Sequence, residues 1–294
     1  MISIIVVNYN RKDLLKNCLD AARMQSFKDI EVIAVDNGSS DGSSDMVKAH
    51  YPEVKLIENK KNLFFCKANN QGIEVAKGDF ILCLNNDCVL DKDYLKEAVS
   101  SFNMDGKIGM VSGKILRMDR KTIDSTGLFV ARSRKPLERG YGKSDKGQYD
   151  NPEYIYGVSG SCMLMRKNML DDIKDENGYF DETFEMYYED LDLCWRARKK
   201  GWKAYYNPKA TAYHVRGGTA ITRDGNRRPG LNLAYIGDDL KKKYIRNRYK
   251  CMKKNDAIAG FILHLPFILL YEIKIYFYII GNFILTSMRR HSII

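Results

Sequence analysis

Phe80-Ile81-Leu82-Cys83-Leu84-Asn85-Asn86-Asp87 decides the fold. Five consecutive apolar residues suit a short strand buried on both faces, and the polar Asn-Asn-Asp marks where the chain leaves the sheet. The pattern recurs upstream, where Ile2–Val7 runs into Asn8 and Ile30–Val35 runs into Asp36. Between these runs, Arg11–Met24 has apolar spacing at Leu14, Leu15, Cys18, Leu19 and Ala22, which predicts a helix. A short helix through Met46 to His50, a strand over Val54–Ile57 and a helix over Phe65–Ala76 complete the alternation. Near-continuous apolar strands separated by helices predict an α/β fold with a mostly parallel sheet covered on both faces. Ligands on such sheets bind beyond the carboxyl ends of the strands. Asn8, Asp36 and Asp87 are therefore expected to converge on one crevice.

Further along, Asp91–Phe102 reads as a helix and Ile108–Ser112 as a strand. Lys114 to Asn151 has weak periodicity and reads as long loops with a hairpin. Order returns at Tyr154–Arg166, then in a helix over Glu189–Lys200 and in strand pieces Lys203–Tyr206 and Thr211–His214. The Gly- and Arg-rich run Gly217–Gly230 reads as a mobile loop.

With 294 residues, 45% apolar and 11% aromatic, the chain can bury a sizeable core. Its net charge of +11 is local: Lys241–Lys254 holds eight Lys or Arg and no acid. Nucleic-acid binding would want that charge spread along a groove or interleaved with stacking aromatics, so nucleic acid is not an expected partner. The run precedes the apolar stretch Ala257–Thr286, whose only charged residues are Glu272 and Lys274, with His264 besides. Pro266, Glu272 and Gly281 interrupt that stretch, so no clean spanning helix stands out. One reading is a pair of buried helices completing the core. The preferred one is one or two helices lying in the interface of an anionic membrane. The seven cysteines form an odd set without a CxxC pair, which points to a reducing cytosolic compartment. Met1–Val7 is too short for a signal peptide and reads as the first strand.

The chemistry concentrates in three places. Val35-Asp36-Asn37-Gly38-Ser39-Ser40-Asp41-Gly42 offers a carboxylate to a base or ribose, or is an Asx-turn that only reverses the chain. Asp87, emerging at a strand end, can ligate a divalent cation bridging two phosphates, and a mixed Asp and His shell with His214 suits Mn2+ or Mg2+. In Tyr187-Tyr188-Glu189-Asp190-Leu191-Asp192-Leu193-Cys194-Trp195-Arg196, three carboxylates open a helix among aromatics. Asp192 lies four residues before Arg196 and is expected to brace the helix by an ion pair. Glu189 and Asp190 fall in the first turn, where the helix dipole favours their ionised forms, as a general base requires.

In this order the motifs resemble family 2 glycosyltransferases of the GT-A fold, closest to the rhamnosyltransferase-like branch, over roughly residues 2–254. The resemblance rests on Ile4-Ile5-Val6-Val7-Asn8-Tyr9-Asn10, the Asp36 stretch, Asn69-Asn70-Gln71-Gly72-Ile73, and Asn85-Asn86-Asp87. On the acceptor side it rests on Gly178-Tyr179-Phe180-Asp181-Glu182 running into the Tyr188–Arg196 stretch, with Gly201-Trp202. It implies a nucleotide-sugar pocket formed by Asn8, Asp36, Asn69, Asn86 and Asp87, a metal at Asp87 and His214, and Asp190 as catalytic base with Glu189 beside it. Arg246-Asn247-Arg248 resembles a basic signature found past the catalytic domain. Two departures stand out. Asn85 replaces the acid often found at the start of the metal motif, and Phe64 stands where a Gly-Phe pair is common after Asn62-Leu63.

The resemblance implies an inverting, metal-dependent glycosyltransferase. It would move a sugar, with rhamnose one candidate, from a nucleotide-diphosphate donor to a saccharide or lipid-linked saccharide in cell-surface polysaccharide synthesis. The expected organisation is a catalytic domain over residues 1–230 and a basic, then apolar helical extension over 231–294, peripheral on the cytoplasmic face of the membrane. A nucleotidyltransferase making an activated sugar would share the nucleotide-binding half but would not need the acid cluster. A non-catalytic membrane-associated sugar-binding protein would not need Asp87, Asp190 and His214 together. No feature of the sequence sets an oligomeric state.

Overall fold

Residues alternate faces along a strand, and in the first strand Ile2, Ile4 and Val6 pack into one apolar cluster while Ile5 packs into another. Both faces of the sheet therefore need cover, and the intervening helices supply it. The computed structural model describes residues 1–216 and 238–291. The strands are β1 (Ile2–Asn8), β2 (Ile30–Asp36), β3 (Lys55–Glu58), β4 (Phe80–Asn85), β5 (Cys88–Leu90), β6 (Ile108–Arg117), β7 (Ile123–Ser125), β8 (Leu128–Val130), β9 (Pro136–Glu138), β10 (Glu153–Ile155), β11 (Cys162–Arg166) and β12 (Lys203–His214). The helices are α1 (Lys12–Arg23), α2 (Ser43–His50), α3 (Phe64–Val75), α4 (Tyr94–Ser100), α5 (Lys167–Ile173), α6 (Glu189–Lys199), α7 (Asp238–Asn255) and α8 (Ile258–His291).

The main sheet runs β10-β12-β6-β11-β4-β1-β2-β3, with β5 paired to β12 and β7 to β6. β3, β2, β1 and β4 are mutually parallel, as the apolar runs predict. β11 is antiparallel to both β4 and β6 and makes the sheet mixed. Leu15, Cys18 and Leu19 of α1 cover one face; Ile73 of α3, Met169 and Leu170 of α5, and Leu191 and Cys194 of α6 cover the other. Gly72 is what lets α3 close on β1, since a Cβ there would lie 2.5 Å from the Ile5 side chain.

Five segments differ from the sequence reading. α4 begins only at Tyr94 and gives way to a 3-10 turn at Ser101–Asn103. β6 continues past Ser112 to Arg117 because β12 pairs along it, and β12 itself is one strand whose register shifts between Asn207 and Thr211, around Pro208. α5 lies in a stretch whose apolar period is too short to declare a helix. The apolar C-terminal stretch is one continuous helix, α8, which carries Pro266 inside it where the sequence reading saw an interruption. Its Ile258–Phe277 segment has a mean hydropathy of 1.7, with 11% of that window buried, so it is long and apolar enough to cross a membrane. It does not complete the core: Ile258, Ile262, Leu263, Leu270 and Phe277 are all exposed.

The basic run is also placed differently from a simple membrane-facing patch. Lys243 pairs with Glu185, Arg248 is buried and pairs with Glu272, and Lys254 lies 2.7 Å from Asp181 and 3.1 Å from Asp175. Lys250 stands 4.0 Å from Asp181. At least half of the eight cations thus stand beside acids of the same chain.

Candidate active site

Strand ends build the site. β1 stops at Asn8, β4 at Asn85, and the turn after β4 carries Asn86 and Asp87 before the chain re-enters as β5. β5 pairs antiparallel with the end of β12, with His214 opposite Cys88, and the Val215 N–H donates to the Asp87 carbonyl at 3.0 Å. That pairing sets His214 Nε2 3.0 Å from Asp87 Oδ1. β7, held along β6, delivers Asp124 to the other ring nitrogen, with Oδ2 2.8 Å from Nδ1. Arg216 closes the row by donating to Asp124 Oδ1 at 2.6 Å.

Asp87, His214 and Asp124 are all buried. Burial alone would push the imidazole toward its neutral form, but hydrogen bonds to Asp124 and Asp87 outweigh it and raise His214 to about 9. Burial would raise Asp124, yet its bond to His214 and the charge of Arg216 hold it below the usual carboxylate range. The row places the imidazole between two carboxylates, which favours its protonated form.

The donor set fits a divalent cation. Asp87, Cys88 and His214 offer ligand atoms within 4.8 Å of one another. Oxygen and imidazole nitrogen suit Mn2+ better than they suit a soft metal. The Cys88 thiol donates to the Ser161 carbonyl at 3.4 Å, and burial pushes its pKa well up, so it is a poor hard-metal ligand. Asp124 holds the far nitrogen of His214, the arrangement by which an outer carboxylate orients a metal-binding imidazole.

A cleft of about 550 Å3 joins this row to the start of α6, lined by Asn86, Asp87, Asp124, Glu138, Glu189, Asp190, His214 and Arg216 among others. Asp190 Oδ2 accepts from the Gly160 N–H at 3.2 Å, and Oδ1 accepts from the Leu191 N–H at 2.7 Å. Glu189 Oε2 has no hydrogen-bond partner among the described residues. The helix dipole favours two ionised carboxylates here, and burial works against it. Burial raises Asp190 against the two backbone N–H bonds, and burial together with the Asp190 charge raises Glu189 to about 8. Asp192 behaves as expected, since it is fully buried and accepts from Arg196 Nε at 2.8 Å.

The loop entering α6 is strained. Glu185, Tyr187 and Tyr188 all have positive φ, at 62°, 69° and 71°. Each such conformation costs about 1–3 kcal/mol and persists only where its surroundings enforce it.

On the nucleotide side, the residues named from the sequence divide. Asn86 lines the cleft and donates to Asn8 Oδ1 at 2.7 Å, while Asn8 is buried behind it and donates to Asp36 Oδ1 at 3.1 Å. Asp36 is buried, accepts from the Ser39 N–H at 3.0 Å and hydroxyl at 2.6 Å, and does not line the cleft. Those bonds have the form of an Asx-turn, and the neighbouring Asn37 lines the cleft. Asn69 is likewise turned away, donating to the Phe65 carbonyl of its own helix at 2.9 Å. The rest of that motif is structural too: Asn70 exchanges hydrogen bonds with the Phe180 backbone at 2.8 and 2.9 Å.

Asp124, Glu138 and Ser159 are not found by reading the sequence. Glu138 accepts from the Ser125 hydroxyl and from Ser159 at 2.8 Å, and burial raises it to about 7 despite the Arg216 charge. Asp124 and Glu138 lie in strands of three residues inside the stretch that reads as loops, too short for any periodicity to show. The one available signal was an acid beside small polar residues, as in Ile123-Asp124-Ser125-Thr126-Gly127. The expected loop Gly217–Gly230 lies outside the described residues.

A mixed, mostly parallel sheet flanked by helices, with a cleft beyond its strand ends, is the framework of the GT-A fold. A mannosyltransferase from Pyrobaculum calidifontis, solved in complex with GDP-Man and Mn2+, shares this fold at a TM-score of 0.59 and 17% identity, over 88% of this chain and 66% of that one. The chain belongs to glycosyl transferase family 2, whose family model matches residues 3–174. Among curated relatives, the poly-beta-1,6-N-acetyl-D-glucosamine synthase of Staphylococcus aureus is 25% identical over 72% of this chain. The N-acetylglucosaminyl-diphospho-decaprenol L-rhamnosyltransferase of Mycobacterium tuberculosis is 26% identical over 73%. The alignment spans 49% of the synthase and 76% of the rhamnosyltransferase.

Proposed function

We propose that this chain is an inverting glycosyltransferase moving a sugar from a nucleotide-diphosphate donor to a hydroxyl of a saccharide or lipid-linked saccharide in cell-surface polysaccharide synthesis. The observation that carries the reading is the single cleft shared by the Asp190–Glu189 pair and the Asp87–His214–Asp124 row. Asp190, in its ionised form, accepts the proton of the acceptor hydroxyl as that oxygen bonds to the anomeric carbon. The bond from that carbon to the diphosphate breaks on the opposite face, which inverts the configuration. Glu189, with its unpartnered oxygen, holds a second acceptor hydroxyl. Asn86 and Asn37 line the donor side, and Asn8 and Asp36 support them from behind. Asp87 and His214 would hold a divalent cation, Mn2+ or Mg2+, with Asp124 orienting the imidazole. When bound, such a cation offsets the negative charge that grows on the departing diphosphate.

The mycobacterial relative, a rhamnosyltransferase acting on a lipid-linked acceptor, supports rhamnose as donor sugar and a lipid-linked acceptor. The exposed apolar face of α8 supports work at the cytoplasmic face of a membrane, beside such an acceptor. Residues 1–230 would form the catalytic domain and 231–294 its membrane-facing extension.

The decisive variant is Asp190→Asn, assayed by release of nucleoside diphosphate together with calorimetric titration of the nucleotide. Turnover should vanish while nucleotide affinity is retained. Equal loss of both would sink the assignment of Asp190. Chelation should abolish turnover and added Mn2+ restore it, with a thermal-shift panel of nucleoside diphosphates identifying the donor base.

A further inference from the structure

We infer that Asn247 is a positioning residue that fixes the loop carrying the catalytic base, so that the working site extends into α7, well beyond the segment matched by the family model. The inference rests on the reading of Asp190 as base.

Asn247 is fully buried, although it sits in the most basic stretch of the chain. The two N–H groups of its side-chain amide are shared among the carbonyls of Phe184, Met186 and Tyr187, at 2.7, 2.8 and 3.0 Å, the first of which also accepts from the Met186 N–H. Those carbonyls belong to the segment in which Glu185, Tyr187 and Tyr188 hold positive φ. A loop turned this way cannot satisfy its carbonyls by a regular ladder, and buried carbonyls without donors are costly. One planar amide reaching three of them selects this backbone path over its unstrained alternatives.

The path matters because Tyr188 is the residue from which α6 starts, and Asp190 follows two positions later. No side chain caps Tyr188 at the helix start. The loop is gripped by α7 instead, with Tyr244 packing edge-on against the rings of Tyr187 and Tyr188 at 5.9 and 5.0 Å. Eight residues on from Asn247, Asn255 donates to Asp192 Oδ1 at 2.7 Å, so the same helix also holds the inner side of α6. α7 thus sets both the entry and the rotation of the helix that presents Asp190 to the cleft.

The test compares Asn247→Ala and Asn247→Gln in the full chain, measuring kcat and, separately, nucleoside diphosphate affinity by calorimetry. Asn247→Ala should lower kcat by about ten- to a hundredfold, the scale of a misplaced catalytic group, while nucleotide affinity holds within about twofold. Asn247→Gln returns an amide to the loop and should recover part of the loss. Wild-type kcat in the alanine variant would overturn the inference. So would parallel losses of kcat and nucleotide affinity, or a glutamine variant no better than alanine. If the alanine variant does not fold, the glutamine variant is read against wild type: reduced kcat with intact nucleotide affinity supports the role, and unchanged kcat refutes it. Asp190→Asn run alongside separates the two readings, because its continued activity would remove the base assignment whatever Asn247 does.

Discussion

Glu138, Glu189 and Asp190 meet in one cleft, and burial raises all three carboxyl groups. Raised carboxyls bind more protons in the folded state than in the unfolded one. Their contribution to stability is therefore complete below the ordinary glutamate value and is lost as pH rises through about 7 for Glu138 and about 8 for Glu189. Glu138→Gln should then be more stable than the parent at pH 8, on the order of 2 kcal/mol, and the gap should close below pH 5. Urea denaturation at the two pH values measures it. The rate of transfer should rise with pH beyond the usual aspartate range, because a base must first lose its proton. Asp124→Asn is expected to weaken divalent-cation affinity about 10- to 100-fold, as loss of an outer carboxylate does elsewhere, and titration with Mn2+ reads this directly. Asp87, His214 and Asp190 were legible because each follows a strand or opens a helix that announces itself. Asp124 and Glu138 were not, since neighbours distant in sequence place them in the cleft.

At the scale of elements, α6 is held by a buried charge network rather than by packing alone. Arg196 bonds to Asp192, to the Ile173 carbonyl at 2.6 Å and to the Tyr179 carbonyl at 2.7 Å, tying α5 and the acceptor-side loop to one helix. Asp192→Ala leaves Arg196 buried without its carboxylate and should cost about 3–5 kcal/mol in denaturant unfolding. The start of α3 presents the opposite case. Phe64 holds φ at 61°, a left-handed conformation that favours glycine, and its ring lies 3.8 Å from Lys243 Nζ. Phe64→Gly relieves about 1–2 kcal/mol of backbone strain. It gives back about 1 kcal/mol in chain entropy and about 0.5–1 kcal/mol in cation–π contact. Its melting curve should therefore stay within about 1 kcal/mol of wild type, although the wall of the cleft is changed. Helices and strands of the first hundred residues could be read because the helices bury one apolar stripe each and the strands, covered on both faces, are continuous apolar runs. The short strands between Lys114 and Asn151 could not, because their pairing is decided by β6 and β12.

Across the whole molecule, charge and apolar surface are arranged differently from what their order in the chain suggests. The basic run reads as a membrane-facing patch, yet Lys243, Arg248 and Lys254 are committed to Glu185, Glu272 and Asp181. Membrane attachment is then expected to rest mainly on α8. Vesicle flotation should persist at moderate salt and be lost when Ile262, Leu263 and Leu270 are replaced by glutamate, with turnover of a soluble acceptor retained. Sequence alone showed where the apolar tail lay; that it stands outside the core depended on the body of the protein being complete without it. The mixed sheet has a consequence in time. β11 lies between β4 and β6, yet both neighbours are synthesised before it. At about 5–20 residues per second, a nascent chain carries two open strand edges for seconds before their shared partner leaves the ribosome. Chains stalled or truncated before Cys162 should therefore aggregate and depend on chaperones. The order of synthesis, more than the stability of the finished sheet, is where this protein is open to misassembly.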